Sequence, residues 1–109
     1  MTNYHPGELV LVEFPHTDAA VGKTRPAIVV LDTGDADVVL ARVTTQSQSS
    51  AFDVVIQDWQ HANLLAPSIV RCHKLATIAK GRIQKRLGSV SALDRENLRH
   101  VFRRLGDSW

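Results

Sequence analysis

The stretch "RPAIVVLDTGDADVVLARVTTQ", Arg25 to Gln46, decides the reading of the fold. Residues 25–34 form a continuous β-branched run with Pro26 at its head, where a missing N–H is tolerated, and the run predicts a buried strand. The connector "DTGDA" supplies the Gly and Asp of a hairpin, and residues 37–46 resume a strand pattern that pairs naturally with the first. Arg25 at the mouth of this strand is either a solvated strand end or a cation aimed at an anion.

Strand periodicity recurs on both sides of the hairpin. Upstream, "GELVLVEFP" (7–15) alternates, with Leu9, Leu11 and Glu13 on one face and Val10, Val12 and Phe14 on the other, before the polar loop "HTDAAVGK". Downstream, "QSQSS" reads as a loop, "FDVVIQ" (52–57) as a strand, and "DWQHANLL" as one helical turn or an irregular crossing. In "SIVRCHKLATI" (68–78), Ile69, Arg71 and His73 share one strand face while Val70, Cys72 and Lys74 share the other. "GRIQKRLGSVS" (81–91) reads as a short basic strand or turn.

The last segment predicts a helix. Ser91 is placed as N-cap with Asp94 completing a capping-box-like pair, and Leu98, Val101, Phe102 and Leu105 follow at helical spacing. Arg103 and Arg104 complement the dipole in its last turn, and Gly106 is placed to cap it. Five or six short strands with a terminal helix make a mainly β fold, and such strands are expected to curl into a small barrel that leaves no edge unpaired.

Length, composition and charge narrow the function. A chain of 109 residues supports one core, hence a single domain over 1–109, and 44% hydrophobic with 22% charged residues is ordinary globular composition. "MTNYHPGELV" lacks a signal-peptide pattern, and no segment approaches the roughly 20 apolar residues of a membrane span, so a soluble, cytoplasmic protein with no membrane partner is expected. Cys72 is the single cysteine, which rules out an internal disulfide. The net charge of +2 is unevenly spread: residues 1–68 carry three Lys/Arg against eight Asp/Glu, and residues 69–109 carry ten against three. The basic half suggests a polyanionic partner or simply a solvated face.

His5, His16, His61, His73 and His100 are scattered without a metal-ligand spacing, there is no phosphate-binding glycine loop, and no GxSxG elbow occurs. No metal and no cofactor are therefore expected, and Cys72 reads as a small core residue more than as a nucleophile. What remains is Arg25, Thr44, Thr45, Gln46, Ser47, Arg71 and His73, a set able to handle a phosphodiester. RNA cleavage without metal uses the substrate's 2′-hydroxyl as nucleophile and needs a base, an acid and a cation for the phosphorane, where the arginine fork suits the last role. Each residue also has an ordinary structural use: Arg71 can pair with an aspartate, His73 can be a satisfied core histidine, and threonines favour strands. Residue types alone do not choose.

The order of segments adds to this. "GELVLVEFPHTD", "GKTRPAIVV", "RVTTQS" leading into "FDVVI", "SIVRCHKLATI" and "RIQKRLGSVS" before a terminal helix together resemble, over nearly the whole chain, the MazF/PemK family of toxins from type II toxin–antitoxin systems. The resemblance implies an SH3-like barrel of the MazF/PemK/CcdB type, a homodimer, a cognate antitoxin, and a metal-independent endoribonuclease. Such an enzyme cuts single-stranded RNA and leaves a 2′,3′-cyclic phosphate. In that family the arginine of the RPA motif and the first threonine of the TTQS-like segment carry catalysis, which falls here on Arg25 and Thr44. Thr45, Gln46, Ser47, His16 and Lys74 are the accompanying candidates for substrate contact.

The chain departs from the family at three points: the later strand, the loop before Arg25, where "DAAVG" offers only Asp18 in place of the His or Glu of other members, and His16, where the family often has phenylalanine. Some members use an Arg-x-Asp pair on the later strand as acid and base, and here the segment reads Arg71, Cys72, His73. His73 beside Arg71 is thus the expected proton-transfer residue, with His16 as alternative. Two other readings stand beside the nuclease: a non-catalytic barrel toxin acting on a protein such as DNA gyrase, and an RNA-binding module.

Overall fold

The computed structural model describes residues 2–14 and 24–109. Its elements are β1 (Glu8–Val12), β2 (Arg25–Leu31), β3 (Asp37–Thr44), β4 (Asp53–Val55), β5 (Ile69–Ala79), a 3₁₀ turn (Lys80–Arg82), β6 (Ile83–Ser89) and α1 (Ala92–Asp107). The strands form one antiparallel sheet in the order β4-β5-β3-β2-β1-β6. This is the mainly β architecture with a terminal helix that the periodicity predicts, and the β2–β3 hairpin closes on Gly34 at φ +94°.

The sheet rolls but does not close. β5 and β6 lie four positions apart, which in a flat sheet is about 19 Å at about 4.8 Å per strand. Yet they are joined by only Lys80–Arg82 in a 3₁₀ turn, which rises about 6 Å. The strands must therefore curl around that end. Among the described residues β4 and β6 remain unpaired with each other, so the expected closed ring is an open sheet instead. The crossing after β4 bridges part of the seam: Asn63, at φ 62°, donates from Nδ2 to the Leu87 carbonyl at 2.7 Å. A Cβ at Gly88 would lie 2.9 Å from that Nδ2 and 3.0 Å from the Ala62 carbonyl, so this close approach requires glycine. The crossing is irregular, with turns in place of a helix.

Both sheet faces are packed, which explains why β2 does not alternate. Leu9, Ile28, Ala41, Val43, Val70 and Cys72 face α1, where Leu98 is buried and Val101 and Phe102 pack against them. Val10, Val12, Phe14, Ala27, Val29, Val38, Leu40 and Ile78 form a second cluster on the opposite face. The split of β1 into Leu9 against Val10, Val12 and Phe14 is as its alternation predicts. β5 breaks the simple alternation: Arg42 pairs with Arg71 while Ala41 pairs with Leu75, leaving Cys72–Lys74 as three extra residues. An odd insertion exchanges faces, so Val70 and Cys72 join the helix-side cluster whereas Ile78 joins the other.

Ser91 caps α1, its side chain accepting from the Asp94 N–H at 3.3 Å. The Asp94 carboxylate is fully buried and accepts from Gln57 N and Asp58 N at 2.8 Å each, so one side chain pins the helix start to the crossing. The expected cap at Gly106 is displaced: α1 continues to Asp107 and ends at Ser108, whose Oγ donates to the Arg104 carbonyl at 3.0 Å.

Candidate active site

Antiparallel register assembles the site. Ala27 pairs with Arg42, Arg42 with Arg71, and Arg71 with Asp53, giving one row across β2, β3, β5 and β4 that is polar from β3 to β4. Two residues along, Val12 pairs with Arg25, and Thr44 with Ile69. Carried on by two residues, the β2–β3 register sets Arg25 opposite Thr44. Because side chains two apart share a face, Arg25, Arg42, Thr44 and Arg71 all project from the face away from α1.

There they line a cleft of about 490 Å³ together with Phe14 and Pro26. Thr45, Gln46 and Gln48, from the loop after β3, complete it. Arg25 is exposed and, among the described residues, engages no carboxylate. Its backbone is fixed by Pro26 and by the buried run Ala27–Val29 behind it. The Thr44 hydroxyl accepts from Gln46 N at 3.1 Å, which sets its rotamer and leaves its O–H to donate into the cleft.

Arg71 is a half-buried cation with its own counter-charge. Its Nε lies 2.9 Å from Asp53 Oδ1, and Asp53 also accepts from Ser50 N at 2.9 Å. Burial pushes the Asp53 carboxyl up, but hydrogen bonds from Arg71 and Ser50 outweigh it and hold it at about 2. Arg42 is exposed and differently supported, its guanidinium carbon standing 4.5 Å above the centroid of the Phe14 ring.

The remaining candidates are dispersed. His73 falls in the bulged segment of β5 with its ring centroid 5.9 Å from that of Phe52, and its buried Nδ1 has no hydrogen-bond partner among the described residues. Phe52 in turn carries the guanidinium of Arg104 from α1. His73 does not line the cleft, nor do exposed Lys74 and Ser47. His16 lies outside the described residues. Cys72 is buried, and burial together with the Asp53 charge pushes its thiol up to about 12, which removes it as a nucleophile at neutral pH. No group of three His, Cys, Asp or Glu side chains converges among the described residues.

Sequence reasoning misses Arg42 and Asp53. The signal for Arg42 is its period-two spacing to Thr44 on β3, whereas Asp53 meets Arg71 only through the pairing of β4 with β5. The C-terminal half supplies Arg71 alone to the cleft, while Arg25 and Arg42 come from the half with excess acid. An apolar groove of about 600 Å³ adjoins the cleft, sharing Pro26 and Thr45 and lined by Leu11, Leu64, Leu65 and Leu87.

A family model described as PemK-like, MazF-like toxin of type II toxin-antitoxin systems matches residues 5–108. No curated protein sequence matches the chain. Among solved structures, a mycobacterial endoribonuclease in complex with its cognate antitoxin superposes with a TM-score of 0.78 at 19% identity, covering 98% of this chain and 99% of that one. The Mycobacterium tuberculosis toxin MazF-mt6 gives 0.74 at 20% identity, covering 94% and 97%. A MazE-MazF structure from Deinococcus radiodurans gives 0.71 at 19% identity, covering 94% and 96%. At these identities the similarity is one of fold.

Proposed function

Because the chain belongs to the PemK-like, MazF-like toxin family of type II toxin–antitoxin systems, we propose that it is an endoribonuclease that cleaves single-stranded RNA without a metal. The observation that carries this reading is the convergence of Arg25 and Thr44 on facing strands in one cationic cleft. In the reaction the ribose 2′-oxygen attacks the adjacent phosphorus, its proton passes to a base, the P–O5′ bond breaks, and O5′ takes a proton. The products are a 2′,3′-cyclic phosphate and a 5′-hydroxyl.

Arg25 binds two non-bridging oxygens and stabilises the charge that gathers on the phosphorane, and Thr44 donates to one of them. Both stand on paired strands over a packed core, so little reorganisation is needed. Arg71, oriented by Asp53, adds positive potential. A carboxyl held at about 2 and already bonded to a guanidinium is a weak base, so Asp53 serves orientation. The proton-transfer role expected of His73, and the substrate contact expected of Lys74 and Ser47, are not carried into this reading, because none of them lines the cleft.

Two partners follow as part of the proposal. The structural neighbours include toxin–antitoxin complexes, and an acidic segment with apolar anchors suits a cationic cleft beside a leucine-lined groove. A homodimer would cover part of the same apolar surface, where Leu65 is 98% exposed.

The test is incubation of mixed single-stranded RNA with pure protein in EDTA, comparing wild type with Arg25→Ala. Cyclic-phosphate ends from wild type and a loss of about 10²–10³ in rate from the variant are expected, the cost typical of removing one transition-state donor. RNA retained but uncut by wild type would overturn cleavage in favour of an RNA-binding module, and neither binding nor cutting would favour a toxin with a protein target.

A further inference from the structure

We propose that Arg42 is a second phosphate-binding residue, gripping the linkage next to the one cleaved and thereby positioning the strand. This assignment rests on the reading of the cleft as an RNA-cleaving site. Arg42 stands two residues from Thr44 on the same face of β3, which places the two side chains about 7 Å apart along the strand. That step suits successive phosphates of a single strand, with Arg25 and Thr44 serving the scissile one.

The arrangement around Arg42 has a cost that stability alone does not explain. Arg42 and Arg71 are direct cross-strand partners, and like charges so placed repel. Asp53 neutralises Arg71 at 2.9 Å, whereas Arg42 meets no carboxylate among the described residues. The row Arg42–Arg71–Asp53 thus keeps one net positive charge, carried at the cleft by the exposed Arg42. The buried Phe14 ring lies behind it at 4.5 Å and orients the guanidinium. An oriented fork with no carboxylate partner among the described residues presents paired donors to an anion, so a phosphate is the fitting occupant.

The experiment uses an RNA oligonucleotide centred on the preferred cut site of wild type, with each flanking linkage replaced in turn by an uncharged methylphosphonate. Cleavage is measured for wild type, Arg42→Gln and Arg42→Lys, and affinity is measured on the same sequence with a 2′-deoxy residue at the scissile position. Arg42→Gln raises KM about tenfold with kcat nearly unchanged, since a ground-state charge contact is lost. The slope of log affinity against log salt falls by about 0.7, as for one single-strand phosphate contact. One flanking methylphosphonate raises the wild-type KM to the same degree and adds nothing in Arg42→Gln, while Arg42→Lys restores the slope.

Additive effects of Arg42→Gln and both methylphosphonates overturn the assignment, as does a fall in kcat at constant KM. Methylphosphonate-insensitive weakening would assign Arg42 to base stacking instead and equally overturn it. If wild type binds the 2′-deoxy oligonucleotide through Arg42 but cuts no ribose version, cleavage fails while the phosphate site stands; absence of binding removes both. Should Arg42→Gln not fold, Arg42→Lys is compared on the same methylphosphonate RNAs, where coupling confirms the contact and additivity overturns it.

Discussion

At the scale of single residues, what matters is which polar groups are already satisfied within the fold. Arg71 is answered by Asp53, while Arg25 and Arg42 meet no carboxylate among the described residues. The Thr44 hydroxyl spends its acceptor on Gln46 N and keeps its donor. Thr44→Val should therefore lower kcat by about 10² with the fold intact, whereas Thr44→Ser keeps most of the rate; steady-state cleavage with circular dichroism checks both. The same bookkeeping predicts acid sensitivity. Hydrogen bonds from Tyr4 N, Lys80 and Gly34 N hold Asp32 at about 2, and Asp53 is held at about 2 against its burial. Both lie below the ordinary value of 3.8, so their stabilisation is complete above about pH 4 and is lost as pH falls through about 2. The melting temperature should drop steeply from pH 4 to 2, less so in Asp53→Asn; a flat profile would contradict the pairing.

Elements are joined by a few specific contacts at their ends. The Asp94 carboxylate holds α1 to the crossing after β4, so Asp94→Ala leaves Gln57 N and Asp58 N without their acceptor and removes the oxygen to which the Ser91 hydroxyl donates. A loss of about 2–3 kcal/mol is expected in urea unfolding, exceeding that of Ser91→Ala at about 1 kcal/mol. Gly88→Ala tests the seam: its methyl would meet backbone at Ala62 as well as the Asn63 amide, and overpacking of this kind costs about 1–3 kcal/mol. Equal stability of Gly88→Ala and wild type would show that the crossing yields at the sheet edge.

For the molecule as a whole, the distribution of charge over the surface counts for more than its distribution along the chain. Arg95, Arg99, Arg103 and Arg104 ride on α1, which packs on the face opposite the cleft. Arg95 and Arg104 are further committed to the carbonyls of Pro6 and Ala51. Replacing Arg99 and Arg103 together by Gln should leave the salt slope of RNA binding unchanged, whereas removing Arg25 or Arg42 lowers it by about 0.7. A slope that falls with the helix variants would extend the RNA path around the molecule.

Much of this protein is set by local pattern. Period-two and period-3.6 spacing placed β1, β3, β4, β5 and α1 within a few residues, a continuous apolar run placed β2, the β6 segment read as a strand or a turn, the Ser91 cap was readable from its neighbours, and the order of RPA and TTQS segments pointed to the family. These features depend on residues close in sequence, where alternation and capping act directly. Tertiary structure alone decided the rest: the rolled but open sheet, the three-residue bulge that exchanges the faces of β5, and the row that sets Arg42 beside Arg71 and Arg71 beside Asp53. Those outcomes follow from register between strands distant in the chain, and a shift of one residue would turn each side chain to the opposite face.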